Sequence, residues 1–203
     1  VELSFQGEHD DAVGYFRRMR GKGGRHAEAA QYGLVLALTR EGQYEEARKL
    51  LKPLRDFSPT SLTYKLAETD INIADGQFEP ALALLQKELR LAPKNHPLIM
   101  GLATAYYQSG RYEQAEKLLL DHSRNKPNDP NVWFALSEVQ RIAGHALGYH
   151  QSRAEYLYLN GNLGEAYRQL GYAFPMTEDQ LTKLRIQQRM DYIRAVGNAL
   201  GGR

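Results

Sequence analysis

The sequence predicts an all-α protein built from repeated pairs of helices. Apolar residues recur at intervals of three and four, as on one face of a helix, and no useful length alternates in the manner of a half-buried strand. The string Gly-x-aromatic-x-x-Ala occurs at 42–47, 76–81 and 110–115, so each copy begins 34 positions after the previous one (76 − 42 and 110 − 76). The same interval separates Pro59, Pro93 and Pro127. A fixed period of this length predicts stacked supersecondary units.

Each mark has a physical role in the predicted unit. A glycine just after an apolar run ends the first helix, because it adopts a left-handed conformation without a Cβ clash. The alanine five residues later lies in the second helix, where its small side chain lets two helix backbones approach. The proline stops the second helix before the next unit begins. Leucines at helical spacing fill the helices, namely Leu34, Leu38, Leu50, Leu51, Leu54, Leu82, Leu85, Leu89, Leu118 and Leu119.

The pattern changes after Gly144. A helical run over 145–160 is followed by Gly161 and a second run through Ala173, which Pro175 ends. Thr177 can cap a last helix. That helix has an apolar stripe of Ile186, Met190 and Ile193, with Arg185 and Arg189 expected to face elsewhere. The helix either covers the open end of the array or docks a partner.

Composition restricts the class of protein. The chain has 203 residues, 42% hydrophobic and 25% charged, which is typical of a soluble globular protein and excludes a disordered tail, a collagen-like rod and a multi-span membrane protein. Lys and Arg total 26 against 24 Asp and Glu, and this net charge of +2 does not favour nucleic-acid binding. The absence of cysteine excludes disulfides, thiol nucleophiles and Cys-ligated zinc.

The repeated marks resemble those of the tetratricopeptide repeat, a helix–turn–helix unit with the same period. The resemblance implies a right-handed superhelical solenoid with a non-standard C-terminal helical cap. Residues 1–24 would hold the second helix of a truncated unit, residues 25–143 the array, and residues 144–203 a degenerate repeat and capping helices. Pro130, Trp133 and Leu136 resemble the opening of a fourth unit.

A second resemblance rests on the C-terminal run. This run is similar to the C-terminal half of periplasmic zinc metalloproteases of the β-barrel assembly-enhancing type. The resemblance is carried by Ala154-Glu155-Tyr156, Leu159 to Leu163, Glu165-Ala166 and a basic closing helix. The resemblance implies a periplasmic, non-catalytic domain that docks a protease onto the outer-membrane β-barrel assembly machinery or its unfolded substrates, without inserting into a membrane. It also implies a catalytic domain before Val1, so we expect the chain to be a fragment.

A catalytic site is not predicted within the chain itself. The H-E-x-x-H string of that protease class is missing, so zinc is expected only in a separate catalytic domain and no cofactor in this chain. His145 and His150 are five positions apart, whereas helical zinc ligands need three or four. The stretch 21–24 has neither the preceding strand nor the G-K-[ST] ending of a phosphate loop, and we interpret it as a turn between helices.

Partner binding is expected on the first helix of each unit, which lines the concave side of such arrays. The family's inner-face pattern selects Tyr32, Leu36, Arg40, Leu66, Asp70, Ile73, Met100, Thr104, Tyr107, Phe134, Glu138 and Arg141. Aromatic, methionine and scattered charged side chains suit extended or partly folded protein segments, although each could instead pack against a neighbouring unit or the cap. Some tetratricopeptide domains hold a terminal carboxylate with inward Lys, Arg and Asn side chains. The corresponding positions here are Tyr32 and Leu36, so a clamp of this kind is not expected. The alternative function is a free-standing scaffold or co-chaperone in envelope or pilus assembly, unrelated to proteolysis.

Overall fold

The computed structural model describes residues 12–21, 23 and 26–201, and all regular secondary structure in these ranges is helical. The predicted all-α class is therefore confirmed for the described chain. Two compact units divide at Ser109 and Gly110. The prediction of a truncated unit's second helix within residues 1–24 falls partly on residues 1–11, outside the described ranges, and the described helix there begins at Ala12.

The first unit, residues 1–109, contains six α-helices among its described residues. They are α1 (Ala12–Gly21), α2 (Ala27–Arg40), α3 (Tyr44–Phe57), α4 (Leu62–Ala74), α5 (Phe78–Leu91) and α6 (His96–Gln108). Each helix packs against the next in the chain, and α4 also packs against both α2 and α6. Helices α2, α4 and α6 consequently lie side by side, which is where the sequence predicts the binding face.

The turns inside the helix pairs follow the repeated glycines. Gly42 and Gly76 have φ angles of 76° and 74°, in the left-handed region that favours glycine. After each, the next backbone N–H donates to a carbonyl five residues back, Gln43 to Leu38 at 2.9 Å and Gln77 to Asn72 at 2.7 Å. These bonds satisfy carbonyls at the helix end. The predicted role of the glycines is confirmed.

Buried alanines and leucines join the paired helices, as predicted. The alanine five residues after each turn glycine has no exposed surface, and most of the predicted leucines are buried beside it. The core of the first unit includes Leu34, Val35, Leu38, Ala47, Leu51, Leu54, Ala67 and Ile71. Pro59 and Pro93 lie in the short connections that lead to α4 and α6, as expected of residues that stop a helix.

The second unit, residues 110–203, contains five α-helices within the part of the chain that the structure describes. They are α7 (Tyr112–Asn125), α8 (Pro130–Ala143), α9 (Ala146–Leu159), α10 (Leu163–Ala173) and α11 (Gln180–Gly201), with a 3-10 turn at Phe174–Met176. The main contacts join helices that are consecutive in the chain. Gly144 and Gly161, with φ of 77° and 79°, repeat the turn of the first unit.

The last helix covers α10 with the predicted stripe. Ile186, Met190 and Ile193 are 2%, 9% and 2% exposed and pack in one cluster with Ala166 and Leu170. This burial supports the covering role of α11.

Two side chains at this end of the chain have partners that the sequence pattern does not specify. Arg189 is not part of the cluster that the stripe forms, and its guanidinium donates to Glu155 on α9 at 2.8 and 2.6 Å. The residue that caps α11 is Asp179 rather than Thr177, since its carboxylate accepts the backbone N–H of Thr182 at 2.8 Å. Thr177 accepts the N–H of Asp179 one step earlier, at 3.2 Å.

Candidate protein-binding surface

The predicted surface residues of the first unit occupy equivalent positions on neighbouring helices. Tyr32, Leu66 and Met100 are separated by one repeat period each, and all three side chains are half-buried. Leu36, Asp70 and Thr104 follow at the same interval, one turn further along each helix. Because α4 packs against both α2 and α6, these residues form two rows across one layer of helices. We call the surface of this layer the first-unit face.

An aromatic pair stands at the start of this face. The rings of Tyr32 on α2 and Tyr64 on α4 lie 5.8 Å apart in a tilted arrangement. The Tyr64 hydroxyl donates to the carboxylate of Glu28, and this hydrogen bond is the main reason that the pKa of Tyr64 is raised to about 12. The two rings form an aromatic patch on the first-unit face. The repeat pattern selects Tyr32 for this face but not Tyr64.

Asp70 brings a negative charge to the same face. Its side chain reaches solvent and makes no hydrogen bond or ion pair with another described residue. The surrounding protein nevertheless removes enough water to raise the pKa of the Asp70 carboxyl. Burial, with a smaller contribution from the nearby charge of Asp70, raises the pKa of Tyr32 as well. A carboxylate and aromatic rings therefore share one partly desolvated surface.

The remaining residues of the first-unit set differ in what they offer a partner. Arg40 and Thr104 are exposed, although the Thr104 hydroxyl donates to the Met100 carbonyl of its own helix at 3.0 Å. Tyr107 is half-buried. Ile73 is only 6% exposed and lies within the packed interior, so it supplies little area for contact.

In the second unit, the predicted residues lie on α8. Phe134 is 43% exposed. Glu138 and Arg141 pair with each other across one helical turn at 2.9 Å. The structure adds two residues of α9 that the repeat pattern misses: the Tyr156 ring lies 5.3 Å from the Phe134 ring, and the Arg153 guanidinium lies over both. The pattern could not select them, because it covers only the first helix of each unit and α9 is the second helix of its pair.

The histidines considered as metal ligands do not converge. The Nδ1 of His145 lies 2.6 Å from a Glu116 carboxylate oxygen, whereas His150 contacts the Gln169 side chain at 2.7 Å. Among the described residues there is no group of three or more His, Asp or Glu side chains placed to hold a metal ion. Within the same ranges, no helix has the length and apolar character needed to cross a membrane.

A groove of about 580 Å³ between α3 and α4 lies apart from the predicted set. Its three cations already have carboxylate partners: Arg48 contacts Asp75 at 2.7 Å, Lys52 contacts Asp56 at 3.0 Å, and Arg55 pairs with Glu68. Paired charges of this kind leave little for a charged ligand to gain.

Comparison with protein families and curated proteins relates these features to known sequences. Two family profiles described as tetratricopeptide repeat match residues 2–61 and 72–138. The beta-barrel assembly-enhancing protease of Yersinia pestis is 32% identical over 171 residues, and that of Escherichia coli (strain K12) is 31% identical over the same length. Each alignment covers 84% of this chain and 35% of the relative, so the chain spans about a third of the length of these proteins.

Solved structures share the fold at low sequence identity. TTC0263, a thermophilic TPR protein in Thermus thermophilus, has a TM-score of 0.56 at 20% identity, covering 92% of this chain and 91% of its own. MamA from Desulfovibrio magneticus RS-1 has a TM-score of 0.53 at 14% identity, covering 77% and 86%. These likenesses confirm the predicted fold class.

Proposed function

We propose that this chain, which belongs to the tetratricopeptide repeat family, binds extended segments of other proteins and carries no catalytic site. The main support for this proposal is the row formed by Tyr32, Leu66 and Met100, whose side chains on neighbouring helices are partly exposed to solvent. A row of this kind offers pockets at regular steps, and an extended chain can fill them with successive side chains.

The proposal extends to a larger protein. Similarity to beta-barrel assembly-enhancing proteases over 84% of the chain supports a role as the non-catalytic half of such an enzyme. We place the array in the periplasm, where it would hold unfolded outer-membrane β-barrel proteins, or their assembly machinery, near the protease active site.

Zinc belongs, in this proposal, to a separate catalytic domain. The chain contains no H-E-x-x-H string, and its described residues contain no group of three or more side chains suited to a metal. The described residues therefore offer no zinc site, and the binding that we propose for the first-unit face would require no cofactor.

Site-specific photo-crosslinking tests the residues predicted to bind partners directly. A photoreactive phenylalanine analogue at Tyr32, Tyr107 or Phe134 should crosslink to an unfolded outer-membrane β-barrel protein diluted from urea. The same analogue at Lys49 or Lys87, exposed positions on α3 and α5, serves as the control and should give little product. Equal crosslinking yields from the predicted and the control positions would contradict the proposed binding residues.

A double substitution separates binding from packing. We expect replacement of Tyr107 and Phe134 together by Ala to weaken crosslinking to the unfolded protein more than it lowers the melting temperature. Unchanged crosslinking with a lower melting temperature would instead assign both side chains to the core.

The coding sequence upstream of Val1 tests the larger proposal. A segment encoding H-E-x-x-H there supports a protease domain in the same polypeptide. A start codon or lipoprotein signal directly before Val1 would favour a free-standing scaffold.

A further inference from the structure

Arg153 on α9 is held by two aromatic rings. Its guanidinium carbon lies 4.9 Å from the centre of the Tyr156 ring and 5.9 Å from that of Phe134. The two rings are themselves 5.3 Å apart, so the three groups form a compact triad between α8 and α9. Cation–π contacts of this kind attract the guanidinium without using its N–H donors, which stay available for hydrogen bonds.

Neighbouring carboxylates do not use that edge. Glu155, two residues along α9, is bound by Arg189 at 2.6 Å. Glu165 on α10 is bound by Arg168 and by Gln169, and Arg153 acts on it only through space. Arg153 itself makes no hydrogen bond or ion pair with any other described residue.

A half-buried cation without an acceptor differs from the other arginines nearby. Arg141, Arg168 and Arg189 each pair with a carboxylate of the chain. The two rings offset only part of the cost of burying a charge, and a carboxylate is the group that matches a guanidinium edge with two parallel hydrogen bonds.

We infer that Arg153 binds a glutamate or aspartate side chain of a protein segment that crosses the second unit. The exposed Phe134 ring beside the guanidinium would contact apolar side chains next to that acidic residue. This inference rests on the proposed function, because it specifies one chemical feature of the bound segment. It favours an internal acidic side chain over a chain terminus, since an extended segment that passes the triad can place apolar residues before and after its charge.

Matched peptides test the assignment by fluorescence anisotropy with the full 203-residue chain. One apolar peptide carries a central Glu and a second carries Gln there, both with blocked termini. A third has the Gln sequence with a free C-terminal carboxylate. We expect the Glu peptide to bind about tenfold more tightly than the Gln peptide, and salt to reduce that preference.

Substitutions assign the preference to Arg153. R153Q should abolish it, whereas R153K, which keeps the charge but loses the planar edge, should retain only part of it. R185Q removes an exposed cation from α11 of the same unit and should leave the preference unchanged. Melting curves for each variant show whether a loss reflects unfolding.

The outcomes separate this inference from the proposed function. If both blocked peptides bind wild type equally, segment binding stands and the assignment to Arg153 is wrong. If neither binds, both proposals fail. If only the peptide with the free C-terminus depends on Arg153, the ligand is a chain terminus and the inference is overturned.

Discussion

The two units use the same turn at different intervals. In the first unit Gly42 and Gly76 are one repeat period apart, and Gly110 and Gly144 in the second keep that distance, but Gly161 follows Gly144 at half of it. All five glycines have φ angles between 74° and 79°. Helix α9 consequently has this turn at both ends. The regular array therefore changes into its terminal helices through a shorter interval between turns, while the turn itself is retained.

The surfaces of the two units also differ in charge. The first-unit face combines aromatic side chains with Asp70, a carboxylate without an ion-pair partner among the described residues. In the second unit aromatic side chains surround arginines: Arg153 lies over Phe134 and Tyr156, and Arg189 lies over Tyr158 and Tyr192. Asp70 and Arg153, the charges beside these rings without an ion-pair partner in the described ranges, thus have opposite signs.

The largest effect on stability should come from a larger side chain at the alanine where the two helices pack after the shared turn. Ala81 in the first unit and Ala166 in the second each lie five residues after a turn glycine and have no exposed surface. Replacing either by Leu should overpack the contact and cost about 1–3 kcal/mol of unfolding free energy. Circular dichroism should show melting lowered by roughly 2–4 °C per kcal/mol.

A83L is the matched control, because Ala83 is exposed on the same helix as Ala81. Its melting temperature should stay close to wild type. If A166L melted like wild type while A81L did not, the helices around Gly161 would not pack like those of the repeats.

An intermediate effect is expected from Arg189, which ties α11 to α9 in the second unit. R189A removes two hydrogen bonds to Glu155, at 2.8 and 2.6 Å, and contacts with two tyrosine rings at 4.3 and 5.1 Å. Because the pair is partly exposed, the expected cost is about 1–2 kcal/mol. Faster amide hydrogen exchange in α11, with α2 to α6 unchanged, would locate the loss.

R185A provides the comparison for this substitution, since Arg185 is exposed on the same helix. A surface change of this kind should alter stability by less than about 0.5 kcal/mol. Equal losses from both variants would show that Arg189 contributes only as a surface charge.

The smallest effect concerns Asp70 and depends on pH. Its pKa is raised in the fold, so the native state holds the proton more tightly than the unfolded chain does. The contribution of this carboxyl to stability is therefore fully present below the ordinary Asp pKa of about 3.9, and is lost as pH rises through the native value. D70N removes this loss, and its melting temperature at pH 7 should equal or slightly exceed that of wild type.

Melting curves at pH 3 and pH 7 check the sign. The difference between D70N and wild type should be more favourable to the variant at pH 7 than at pH 3. A variant that melts clearly below wild type at pH 7 would show that the Asp70 carboxylate stabilises the fold.

Local marks explain why much of the fold is predictable. The glycine turns, the buried alanines and the stripe of Ile186, Met190 and Ile193 depend on residues within a few positions of one another. The cap of α11 is harder to predict, because Thr177 and Asp179 are both good capping residues. Only the position of the Thr182 N–H, which donates to Asp179, decides between them.

By itself, the sequence determined the helix pairs, their regular interval and the equivalence of Tyr32, Leu66, Met100 and Phe134, because period and turn chemistry are local properties. The tertiary structure decided which side chains meet across helices. It placed Arg153 over Phe134 and Tyr156, directed Arg189 to Glu155, and buried Ile73. Such contacts depend on the angle and separation at which two helices pack, and a local pattern of glycines and alanines does not specify that geometry.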